Sequence, residues 1–130
     1  MPIDMVIDES IPGAAGEYLK QALNTIHAPA GSVMLSASSV DAMLKEKRCK
    51  DGSLYSRINN AVKDHLITAE MAQWAHDIRL DANDQRHADQ QAILPTDGDA
   101  KKCVDFAIAL AQILFVLPAR VERGLAAAEA

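Results

Sequence analysis

Residues 68–87, TAEMAQWAHDIRLDANDQRH, decide the fold predicted from this sequence. Apolar side chains recur here at the three- and four-residue spacing of an amphipathic helix. They are Met71, Trp74, Ala75, Ile78 and Ala82. Thr68 precedes them as a helix N-cap, and Glu70 lies in the first turn, where the helix dipole favours negative charge. We therefore predict one helix over residues 68–87.

Polar side chains form a second pattern on this predicted helix. Arg79, Asn83 and His87 follow one another at every fourth position and so form a stripe beside the apolar face, which His76 joins one turn earlier. The opposite flank carries Asp77, Asp81 and Asp84. We interpret this acidic flank as a solvated surface and predict no metal site, because no second cluster of ligands completes a shell.

Composition favours one all-helical domain. The chain has 130 residues, of which 49% are hydrophobic and only 4% aromatic, whereas strands prefer aromatic and β-branched residues. Its net charge of −5 means that binding of a nucleic acid requires a local basic patch. Cys49 and Cys103 lack the spacing of a zinc site, so we predict free thiols, with Cys103 buried, and no cofactor.

The rest of the chain contains further helix patterns. We predict a first helix from about Ile11–Pro12 to His27, capped by Ser10, and a breaker over residues 28–31. A second helix is expected over residues 31–48, with Met34 facing inward and with small residues that allow a close helix neighbour. These small residues are Ser32, Ser36 and Ser39.

The third helix is expected from Leu54 to about Leu66, with Ser53 as its cap and with Arg57 in solvent. Asp97 or Asp99 is expected to cap the last long helix, and Pro118 to kink it. The resulting fold class is all-α, an antiparallel bundle of about five helices. We divide the chain into a flexible lead-in at 1–10, one domain at 11–123 and a tail at 124–130.

A cationic cluster, Lys45, Lys47, Arg48 and Lys50, follows the second helix. One interpretation is favourable placement of cations at a helix C-terminus, and the other is a nucleic-acid-binding patch. The N-terminus lacks the basic and apolar regions of a signal peptide, and the apolar run from Cys103 to Leu117 is short for a membrane span. The sequence therefore predicts a cytoplasmic protein without a membrane partner. The last helix is apolar on nearly every side, so it is either central or covered by a second subunit.

Taken together, these segments resemble a bacterial branch of the HEPN superfamily, the higher-eukaryote and prokaryote nucleotide-binding domains. The resemblance covers about residues 10–123 and runs through the following segments in order: YLKQALNTI, SVMLSASSVDAMLKEK, SRINNAVKDHLIT, WAHDIRLDANDQRH and LPARVERG. Its most specific part is the R-x3-N-x3-H pattern of Arg79, Asn83 and His87. The resemblance implies a homodimer and a link to RNA or nucleotides.

Three functions remain open on this basis. The first is a dimeric HEPN-like module in bacterial or phage defence or stress, which contacts RNA or a nucleotide without cutting it. The second, implied by the resemblance, is a metal-independent endoribonuclease in which His87 is the general acid or base, Arg79 holds the phosphate and Asn83 orients the histidine or the ribose. The third is a non-catalytic accessory that binds another protein through the last helix. In the first and third cases the polar stripe is a structural hydrogen-bond network.

Overall fold

The structure is a computed structural model, which describes residues 7–80 and 94–129. These residues form an all-α bundle and contain no strand. The helices are α1 (Gly13–Asn24), α2 (Pro29–Glu46), α3 (Leu54–Lys63), α4 (Ala69–Asp77), α5 (Asp97–Ala111) and α6 (Leu117–Glu129). A π-helical turn, Gln112–Val116, joins α5 to α6, so that one helix of 33 residues runs from Asp97 to Glu129.

The closest helix pair, α1 and α2, is antiparallel and is held by small residues. The Ser32 hydroxyl donates to the Ala22 carbonyl oxygen at 2.7 Å, and the Ser39 hydroxyl donates to the Ala15 carbonyl oxygen at 2.8 Å. Both serines are fully buried, and each hydroxyl thereby satisfies its own hydrogen-bonding need. The predicted close helix neighbour of these serines is confirmed.

The centre of the bundle is α5, which packs against α2 and α1. Phe106 of α5 is fully buried and contacts Trp74 of α4 edge-on, with 5.2 Å between ring centroids. This geometry is favourable for an aromatic pair. The central position predicted for the last helix is therefore confirmed for α5.

Two of the predicted caps are confirmed. The Ser53 hydroxyl accepts from the Ser56 N–H, and the Thr68 hydroxyl accepts from the Met71 N–H. Each side chain satisfies one of the N–H groups that a first helical turn leaves without a partner.

Two other predicted caps are wrong. Ser10 donates to the Asp8 carboxylate, and the N-cap of α1 is Pro12. The cap of α5 is Thr96, which exchanges hydrogen bonds with Asp99 in a capping box. Asp99 is thus the third residue of the helix and supports the cap from there.

Proline accounts for two further differences. Pro29, expected in a breaker, is the first residue of α2, where a missing N–H costs nothing. Just before Pro118, the Leu117 N–H donates to the Gln112 carbonyl, five residues back. The helix therefore widens into a π turn at the predicted kink and continues through residue 123 to Glu129.

The continuous helix Asp97–Glu129 is long and apolar enough to cross a membrane by length and composition, and 39% of its most apolar window is buried in the protein. Core helices of soluble proteins pass the same test. The sequence argument that the apolar run from Cys103 to Leu117 is too short to cross a membrane is therefore wrong in the length it assumed. The helix that contains this run continues well beyond Leu117. The predicted absence of a membrane partner stays a prediction.

Candidate functional site

The predicted helix over residues 68–87 ends early. Helix α4 stops at Asp77, and Arg79 adopts a left-handed backbone with φ of 55°. The next residue, Leu80, is fully buried. Burial of this leucine supplies the physical reason for the turn, since a fully buried leucine contributes about 2 kcal/mol relative to an exposed one. One helix from 68 to 87 is wrong.

Because α4 ends at Asp77, the helix on which the polar stripe was predicted is not continuous. Arg79 is exposed, and its N–H donates to the His76 carbonyl at 3.2 Å. Asn83 and His87 lie outside the described residues, as do Asp81 and Asp84 of the acidic flank. The catalytic roles of Arg79, Asn83 and His87 stay predictions, without the continuous helix on which the stripe was predicted.

Two other helices end in the same way as α4. Arg48 has φ of 66° and His65 has φ of 61°, and both side chains are exposed. The residues that follow them bond back into their helices: the Cys49 N–H donates to the Leu44 carbonyl at 2.8 Å, and the Leu66 N–H to the Ala61 carbonyl at 2.9 Å. This is the Schellman arrangement, in which glycine is the usual left-handed residue. At the ends of these two helices the left-handed residue is Arg48 or His65. A cation at a helix C-terminus interacts favourably with the helix dipole.

The four cations of the predicted cluster differ in their contacts. Lys45 forms a salt bridge with Asp41 at 2.9 Å, and the Lys47 ammonium lies 5.0 Å from the centroid of the Phe115 ring. Arg48 and Lys50 are exposed and form no ion pair within the described ranges. Binding of a nucleic acid by Lys45, Lys47, Arg48 and Lys50 stays a prediction.

Arg57 was predicted to be solvated, and this is wrong. Its residue surface is 8% exposed, and its Nη2 pairs with the Asp41 carboxylate. Its Nε and Nη1 are buried without a hydrogen-bond partner among the described residues. The apolar positions 54, 58 and 61 place residue 57 on the buried face of α3, and this spacing was the overlooked sequence indication.

Asp41 is the common partner of two cations. Burial raises the pKa of its carboxyl, but the hydrogen bonds and charges of Lys45 and Arg57 outweigh burial, so that the pKa lies below its ordinary value of 3.8. Asp41 is therefore a carboxylate at neutral pH. It pairs with both Lys45 and Arg57.

An aromatic stack between α3 and α4 was not predicted from the sequence. The ring of Tyr55 lies against that of His76, with 4.3 Å between centroids and 28° between planes. Tyr55 is half-buried, whereas His76 is exposed. The stack joins the two regions that carry the predicted site residues, because Tyr55 follows Lys50 by five residues and His76 precedes Arg79 by three.

Neither cysteine is suited to chemistry. Both thiols are free and buried, as predicted for Cys103. Burial, and secondarily the charge of Asp99, raises the pKa of Cys103 to about 11, so it is a neutral thiol at physiological pH. Burial likewise raises the pKa of Cys49. Within residues 7–80 and 94–129, no group of three or more His, Cys, Asp or Glu side chains is placed to hold a metal ion.

Comparison with protein families places these features in a known group. The family described as domain of unknown function (DUF4145) matches residues 19–127. The chain belongs to the DUF4145 family. The match spans α2 to α5 completely, half of α1, most of α6, and every site residue predicted from the sequence. Comparisons of this DUF4145 domain with curated proteins and with solved structures find no match.

Proposed function

We propose that this DUF4145 domain is a HEPN-like dimeric module of bacterial or phage defence or stress that binds single-stranded RNA or a nucleotide. The observation that carries the proposal is the Tyr55–His76 stack, in which Tyr55 follows Lys50 by five residues and His76 precedes Arg79 by three residues along the chain. We call Arg48, Lys50, Tyr55, His76 and Arg79 the stacked surface.

The stacked surface combines the two groups that single-stranded nucleic acids require. A base can stack on the exposed His76 ring, because every base has a π-face, and cations beside the ring attract the phosphates. Arg79 follows His76 by three residues, just after the end of α4, and its planar guanidinium matches two phosphate oxygens.

The backbone adds to this attraction. Tyr55 is the second residue of α3, so the positive end of the helix dipole lies beside the aromatic pair. The protein as a whole has a net charge of −5 and repels polyanions, so binding must be local and must weaken with rising salt.

Replacement of His76 by alanine tests the proposal. We expect the affinity for a fluorescently labelled single-stranded RNA to fall at least fivefold at low salt, because a base–aromatic contact contributes about 1–3 kcal/mol. Fluorescence anisotropy titrations measure the effect. His27→Ala is the matched control. His27 is exposed and lies in the connection between α1 and α2, at the end of α2 opposite to Arg48 and Lys50. Equal affinities of His76→Ala and wild type, or no binding by the wild type, would contradict the proposal.

A second function, metal-independent cleavage of the bound RNA, is favoured by the exposure of Arg79, the arginine of the stacked surface that follows α4. In this case His87 exchanges the proton of the 2′-hydroxyl or the leaving oxygen, and Arg79 and Asn83 assist it. We expect the wild type, in EDTA, to release fragments with 2′,3′-cyclic phosphate ends and His87→Ala to release none. The absence of fragments with the wild type, while RNA still binds, leaves the non-catalytic module.

A further inference from the structure

Helix α6 projects from the bundle. None of its thirteen residues is buried, whereas seven of the fifteen residues of α5 are. Its main neighbour among the described elements is the π-helical turn that precedes it. A surface helix ordinarily buries one apolar face, and α6 buries none against residues 7–80 and 94–129.

The exposed side chains of α6 include a regular apolar stripe. Leu117, Val121 and Leu125 are 53%, 52% and 63% exposed. They follow one another at every fourth position and so lie on one face. Single exposed apolar residues are ordinary, but a contiguous stripe on an uncovered helix marks an interaction surface.

The charges beside the stripe differ in sign between its two sides. At 100° per residue, Arg120 lies on one flank, and Glu122 and Glu129 lie on the other. When two copies of such a helix pair in parallel, the basic flank of each meets the acidic flank of the other. In antiparallel pairing, the basic flank of one helix meets the basic flank of the other, and the two acidic flanks also meet. Arginine then faces arginine, and glutamate faces glutamate.

We infer that the stripe Leu117, Val121 and Leu125 is the contact through which α6 pairs in parallel with α6 of a second copy of this chain. This locates and orients the dimer of the proposed function, and it does not depend on RNA binding. A helix of thirteen residues is about 20 Å long. Two such helices bury less than the roughly 1,200 Å² of a standard stable interface, so the dimer is weak and reversible.

Sedimentation equilibrium over a wide range of protein concentrations tests the contact. The wild type is expected to shift from monomer to dimer, and Val121→Asp to weaken association at least tenfold, because it buries an unpaired charge. Ala126→Asp is the matched control: residue 126 lies on the far side of the same exposed helix, and its substitution leaves association unchanged. Circular dichroism verifies that both variants keep the helical content of the wild type.

Cross-linking and charge exchange test the direction. In parallel pairing, Leu125→Cys forms a disulfide-linked dimer with oxidised glutathione, whereas antiparallel pairing around Val121 separates the two thiols by about 12 Å along the axis. The native cysteines are buried and do not interfere. Arg120→Glu is expected to weaken the dimer several-fold, and Arg120→Glu with Glu122→Arg to restore it.

Four results would overturn the inference. They are a monomer at every concentration, a dimer that tolerates Val121→Asp, a Leu125→Cys dimer that does not cross-link, and a monomer whose binding to lipid vesicles is lost in Val121→Asp. A dimer that tolerates Val121→Asp but still binds RNA refutes this contact alone. If His76→Ala loses RNA binding but still forms the dimer, the α6 contact stands independently of the RNA-binding surface.

Discussion

Replacing Asp41 with alanine is expected to lower the free energy of unfolding by about 2–3 kcal/mol. The substitution leaves the guanidinium of Arg57 buried with no counter-ion, and breaking a fully buried pair costs about 3–5 kcal/mol. The smaller figure allows for the Asp41 side chain, which is 30% exposed. Urea unfolding measures the change.

The double variant Asp41→Ala with Arg57→Met supplies the control. Because it removes both charges and retains an apolar stem, it should recover most of the lost stability. Lys45→Met should cost much less than Asp41→Ala, since the Lys45 side chain is 59% exposed. A double variant as unstable as Asp41→Ala would show that the carboxylate acts through something other than its pair with Arg57.

The same residue predicts how stability depends on pH. The pKa of Asp41 is lowered in the folded protein, so its contribution is complete above the unfolded value of 3.8 and is lost as the pH falls through the folded pKa. Asp41→Asn should therefore flatten the acid limb of the stability curve below about pH 4. Part of the acid loss should persist, because hydrogen bonds from Ser10 also lower the pKa of Asp8.

The second large effect concerns the end of α4. With φ of 55° at residue 79, we expect Arg79→Gly to be more stable than Arg79→Ala by about 1 kcal/mol, because a Cβ is unfavourable in the left-handed conformation. Both variants lack the arginine cation, so its loss does not contribute to the difference between their free energies of unfolding. In a helix that continued through residue 79, alanine would instead be favoured over glycine by about 1 kcal/mol. The sign of the difference, measured by thermal or urea unfolding, therefore locates the helix end.

Two further positions calibrate that measurement. Arg48 also has a left-handed backbone, so its glycine variant should be more stable than its alanine variant. Lys45 lies inside α2, so its alanine variant should be the more stable one. A preference for alanine at residue 79, with both reference positions behaving as stated, would restore the single helix and with it the polar stripe.

Much of the fold could be predicted because it depends on local chemistry. Ser53 and Thr68 cap helices since their hydroxyls reach N–H groups three residues on, a contact contained within one turn. The last helix is apolar on nearly every side, which predicted that it is either central or covered by a second subunit, and the structure places α5 at the centre. Met34 shows where periodicity fails: it lies in a helix as predicted but is 52% exposed, since none of the described helices covers that side of α2.

The candidate site could be predicted only in part. Arg48, Lys50 and Arg79 were found because their charges are visible in the sequence. Tyr55 and His76 were not found as a pair, because they are 21 positions apart and meet only when α3 packs against α4.

By itself, the sequence determined an all-α domain, the starts of α3 and α4, the small residues of α2 that allow a close helix neighbour, and the positions of the cations. Only the tertiary structure decided that Arg57 is buried against Asp41, that α4 turns at Arg79, and that α6 leaves the bundle with its apolar stripe uncovered. The physical reason is the range of the interactions. Caps and periodicity act within a few residues, whereas burial of Leu80, pairing of charges between helices and exposure of α6 depend on which elements become neighbours.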